Sequence, residues 1–151
     1  MRGFAARTLA AHAVMAIGLT FAAAAWSYQP AVNYQLQCMG CHRADGSGQP
    51  GRVPSMRRSL LFFSATAAGR NYVIRVPGVA QSPLSDADTA ALLNWMARNL
   101  SDQWVPPRFT DYTAAEVGSL RHRPLAKVSE IRARLLKSAG VPAAGVTASP
   151  P

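Results

Sequence analysis

Cys38-Met39-Gly40-Cys41-His42 is the stretch that decides how this chain is read. Two thiols three positions apart stand about one helical turn from each other, and an imidazole follows at once. C-x-x-C-H is the signature of covalent haem attachment. Each sulfur would bond one vinyl group of the porphyrin, and His42 would turn beneath the plane to ligate the iron. Gly40 places no side chain between the two anchors. Competing chemistries are poorly supplied. A structural zinc site needs two more ligands, yet Cys38 and Cys41 are the only cysteines, and His12 and His122 the only other histidines. A thiol–disulfide motif expects βαβ surroundings, and no such pattern flanks this one.

Upstream, Pro30 is a helix-start signal. Val32, Tyr34 and Leu36 predict one short helix running into Cys41. Downstream, Arg43 to Gly51 holds Gly46, Gly48, Pro50 and Gly51, which predicts a tight loop. Glycine there tolerates close approach and positive φ. The G-x-G is no phosphate loop, because no strand precedes it and no G-K-[ST] follows. Val53-Pro54-Ser55-Met56 comes next, with Pro54 twelve residues after His42.

The attachment motif, the glycine loop and Pro54 at this spacing together resemble class I cytochromes c, which carry Pro-x-Leu here. The resemblance implies an all-α fold: a small cytochrome c-like helical domain around one covalent haem c. It implies His42 as the metal ligand. It also implies that the Pro54 carbonyl accepts the N–H of His42, which fixes the ring and raises its donor strength. Met56 stands where the family has leucine and would pack on the proximal side. The resemblance breaks on the distal side. The family supplies methionine from a Met-Pro turn before the last helix, and the matching place reads Arg75-Val76-Pro77-Gly78. No methionine lies between Met56 and Met96. The sixth ligand therefore stays open among Met56, Met96, His122 reaching back from the tail, another side chain, water, or none.

Leu60-Leu61-Phe62-Phe63 could wall one side of the haem. Arg57 and Arg58 either reach a propionate or mark an exposed helix start. Residues 71–77 read as a short helix or an extended turn. Ser85 with Asp88 is a capping-box pattern, and Leu92, Leu93, Met96 and Leu100 repeat at helical spacing. This helix should close against the one bearing Cys38 to His42. Pro106-Pro107 stops it. Thr113 with Glu116 is a second capping box, opening a helix that should end near Arg121 or His122 before Pro124. Leu125, Val128, Ile131 and Leu135 mark a last helix ended by Gly140 and Pro142. The predicted division is a leader over 1–25, a cytochrome c-like domain over 28–104, a helical extension over 105–140 and a disordered tail over 141–151.

The leader carries Arg2 and Arg7, an apolar run from Leu9 to Ala25 and an Ala23-Ala24-Ala25 cleavage site. The run is marginal for spanning a bilayer, so membrane attachment is expected only if the leader stays uncleaved. Export to the periplasm agrees with the cysteine usage. Formal charge is +9, or +7 without Arg2 and Arg7. A basic exported protein suits a periplasmic redox partner with an acidic docking face, or anionic lipid; scattered solubilising arginines read the same charge differently. Nucleic acid does not fit this compartment. The function these features imply is carriage of single electrons, as a haem subunit or dedicated acceptor of a dehydrogenase, with no catalytic residues of its own. The alternative is a haem protein with an open distal site that binds a small ligand, as a sensor or with weak peroxidase-like activity. A peroxidase wants a distal acid–base histidine, and His42 is the only histidine in the core domain.

Overall fold

The computed structural model describes residues 28–102, 105 and 109–140, with Arg58 described in its backbone alone. The expected leader and tail lie outside the described residues. The fold is all-α, as the sequence predicts. Its helices are α1 (Pro30–Gln37), α2 (Met39–His42), α3 (Met56–Ser64), α4 (Ala67–Arg75), α5 (Pro77–Ala80), α6 (Asp86–Asn99), α7 (Ala114–Arg121) and α8 (Val128–Ser138). Among the described residues the one extended pairing is an isolated bridge between Gln49 and Val53.

Local chemistry explains most of the helix starts. Pro30 opens α1 from its first turn, where a missing N–H costs nothing. Ser55, Thr66, Ser85 and Thr113 each accept a backbone N–H from the first turn of α3, α4, α6 and α7. The segment 71–77, ambiguous in sequence, belongs to α4 as far as Arg75. One expectation changes. The helix predicted to run from Pro30 into Cys41 is two, because Cys38 takes φ −126° and ψ −35° and closes α1 with its N–H on the Tyr34 carbonyl. The chain then restarts as α2, so the first thiol stands at a break.

A single core joins the layers. Tyr34 of α1, Phe63 of α3, Ile74 of α4, Leu93 of α6, Val117 of α7 and Leu136 of α8 are all buried in it. α2, which bears the attachment motif, packs chiefly on α1, and it is α1 that packs on α6. Their contact places the Tyr34 and Trp95 rings 5.6 Å apart, an aromatic pair that adds about 1 kcal/mol beyond its buried area. α7 packs on both α6 and α4, and α8 on α4. The stripe of Leu125, Val128, Ile131 and Leu135 meets this same core. Residues 109–140 are thereby continuous with the packing of α3 to α6.

Candidate functional site

The break at Cys38 sets the stage for the motif. Cys38 is half-buried and Cys41 exposed, and both are free thiols. His42 and Cys41 both send their backbone N–H to the Cys38 carbonyl, at 3.0 and 3.2 Å. Burial, with Cys41 beside it, pushes the Cys38 thiol up to about 11, so it stays protonated at neutral pH. Tyr34 reaches from α1 to the end of the motif, its hydroxyl donating to the Arg43 carbonyl at 2.5 Å. Arg43 is the one non-glycine residue with positive φ among the described residues, at 59°.

From there the loop folds back beneath the motif. Gly46, Gly48 and Gly51 all take φ near +74°, as the sequence predicts. Gly48 N–H donates to the His42 carbonyl at 3.2 Å, and Met56 N–H to Gly46 at 2.9 Å. The Gln49 side chain donates to the Cys41 carbonyl at 3.3 Å. These bonds form a clasp running from His42 round to Pro54. Arg57 fastens its outside, holding Asp45 at 3.1 Å and Asp102 through Nε at 2.6 Å. Its guanidinium is committed to these two carboxylates.

His42 is the centre of this arrangement. Burial depresses its pKa, and the Pro54 carbonyl pulls the other way. The carbonyl does not complete a hydrogen bond, however. His42 Nδ1 is buried and has no hydrogen-bond partner among the described residues. Such an orphan is costly, and an N–H at this position needs an acceptor to close on it.

These residues fit a covalently attached haem. Two thiols and an imidazole stand on one short turn, and nothing lies within 4 Å of where a Cβ on Gly40 would be. Half-buried apolar groups, including Cys38, Met56, Phe62 and Trp95, border the core. Among the described residues no group of three or more His, Cys, Asp or Glu forms a cage that could hold a metal ion by side chains alone. Of the candidate sixth ligands, Met56 opens α3 and is tied to the clasp, Met96 is buried in the core on α6, and His122 is exposed at the end of α7. The clasp contacts of Tyr34 and Arg57 carried no sequence signal; the glycines of the loop did.

The chain belongs to the c-type cytochromes, a class of electron-transfer haem proteins. It is 33% identical over 107 residues to cytochrome c-552 of Thermus thermophilus, an alignment covering 59% of this chain and 82% of that protein. It matches the cytochrome c-552 of a named strain of the same species at 33% identity, covering 72% of that protein. No protein-family model matches the chain.

Proposed function

We propose that this is an exported, monohaem, class I c-type cytochrome that carries single electrons in the periplasm, as the haem subunit or dedicated acceptor of a dehydrogenase. The observation that carries the reading is the short turn that brings the thiols of Cys38 and Cys41 and the imidazole of His42 together. Haem c, when bound, supplies a one-electron iron couple. Cys38 and Cys41 would hold it by thioethers and His42 would ligate its iron, with the Pro54 carbonyl closing on the His42 ring to orient it.

The surface beside the motif supports a protein partner. Leu36 is 60% exposed and Met39 38% exposed, an apolar pair next to the anchors. Arg43 and Arg52 are exposed nearby and belong to none of the ion pairs found among the described residues. Exposed apolar side chains and exposed arginines close in sequence to the motif suit an acidic docking face. Among the described residues no helix is long and apolar enough to cross a membrane.

A second reading, an open distal site for a small ligand, is favoured by Met96, which is only 4% exposed in the core, and by His122, which is exposed at the end of α7. The test is the absorption spectrum of the protein made in a host competent for cytochrome maturation, with and without carbon monoxide. The carrier reading expects one haem per chain and a low-spin spectrum indifferent to the gas. A high-spin spectrum that shifts with carbon monoxide selects the second reading. A colourless chain with both thiols free overturns haem attachment altogether.

A further inference from the structure

A groove of about 590 Å³ runs between α4 and α8. It stays open because α4 lines it with Ala67 and Ala68, whose methyl groups leave space beneath Ile131 and Leu135 of α8. Clefts of this size, apolar with a few placed polar groups, are the usual form of a small-molecule site. The charged groups here are basic. Arg75 stands at the end where its own carbonyl accepts the Leu125 N–H at 2.9 Å. Its Nε donates to the Arg123 carbonyl at 2.6 Å and its Nη1 to Asn71 Oδ1 at 3.1 Å. Both acceptors are neutral. Arg57, Arg70, Arg98 and Arg121 each hold a carboxylate, whereas Arg75 belongs to none of the ion pairs among the described residues. Arg134 also lines the groove and is in none of them either, and no lining residue is acidic. A guanidinium held in place by neutral groups beside an apolar slot is a cation without its anion.

We propose that the groove between α4 and α8 binds a medium-chain fatty acid, its carboxylate on Arg75 with Arg134 adding positive charge, and its chain along Ala67, Ala68, Ile131 and Leu135. The planar fork of arginine matches a carboxylate. From Ala67 to Arg75, α4 advances about 12 Å at 1.5 Å per residue. A partner's helix about 10 Å across, laid along that length, would take roughly 900 Å³, more than the groove holds. The thinner acyl chain is the occupant that volume and charge together select. None of Cys38, Cys41 and His42 lines the groove, so the haem reading can fail without it.

The experiment titrates the full-length haem-loaded protein with decanoate and with decanol by calorimetry, below the concentration at which decanoate forms micelles. Decanoate is expected to bind once per chain and about tenfold tighter than decanol. Arg75→Gln should remove that advantage. Ala68→Leu, which fills the slot with a good helix former, should weaken both ligands about tenfold. Arg134→Gln changes an exposed side chain and should weaken decanoate alone, by about two- to fivefold. Shortening the acid to octanoate should cost up to about fourfold per methylene lost. One measurement needs no variant to fold: in the unsubstituted reduced protein, the methyl signals of Ala67, Ala68, Ile131 and Leu135 should shift as decanoate is added. No binding, decanoate no tighter than decanol, affinity unchanged in Ala68→Leu, or shifts confined to other residues each overturn the proposal. Binding that appears only when the chain is cut after Gly140 overturns it too, and gives the groove to residues 141–151.

Discussion

Tyr34 shows how a single side chain ties the attachment turn to the core. It is 2% exposed, packs on Trp95, and donates its hydroxyl to the Arg43 carbonyl. Removing the hydroxyl leaves that carbonyl without its donor, so Tyr34→Phe should cost about 1–2 kcal/mol in urea unfolding. Burial, with Cys38 and Asp45 nearby, pushes the Tyr34 hydroxyl up to about 12. Burial likewise raises Tyr112 to about 12, against its bond with Ser64. The unfolded chain loses these protons near pH 10 and the folded one near 12. Their contribution to stability is complete below about pH 10 and falls as pH rises through 12. The Tyr34→Phe variant should show a shallower alkaline loss of stability than the unsubstituted protein. The attachment motif itself was readable from the sequence, because its chemistry fixes residue type and spacing together. The reach of Tyr34 was not, since an apolar-looking tyrosine in a short helix gives no hint that its hydroxyl meets a carbonyl nine residues on.

Helices α6 and α7 meet through a buried arginine. Arg121 is 6% exposed, yet its guanidinium donates to the carbonyls of Leu84 at 2.7 Å and Ser82 at 2.5 Å, and to Thr89 Oγ1 at 3.0 Å. Asp86 accepts as well, at 3.3 Å. The last residue of α7 thus organises the segment that enters α6. Gly118 permits the approach, because a Cβ there would lie 2.5 Å from the Asp86 carboxylate. Arg121→Met keeps the bulk but strips donors from several buried acceptors, and should lower stability by about 3 kcal/mol. A urea midpoint that stays put would refute the clamp. The caps at Ser85 and Thr113 were legible, since each is a local hydroxyl-to-amide contact within four residues. Arg121 was not, because nothing local distinguishes a buried arginine from one in water. The break at Cys38 was equally hidden, with no proline or glycine to announce it.

At the scale of the molecule, the stretch beyond residue 105 is continuous with the core. Tyr112 bonds Ser64 at 2.6 Å, Glu116 pairs with Arg70, and Leu125 N–H meets the Arg75 carbonyl at 2.9 Å. A small domain buries too little apolar surface for comfort, and Val117, Leu125 and Leu136 add to it. Deleting residues 109–140 should therefore lower the urea midpoint of the haem-loaded protein. An appendage used only for docking would leave the midpoint unchanged. The sequence showed these helices as amphipathic, but periodicity alone does not say whether a stripe meets its own chain or another.

The corner between α3 and α4 has a mechanical consequence. A Cβ on Gly69 would lie 2.0 Å from the Phe63 carbonyl oxygen, so the backbones touch with no side chain as cushion. Such a joint has no slack. The corner can bend only by moving α3 and α4 together, and any side chain at 69 would prise the two helices apart.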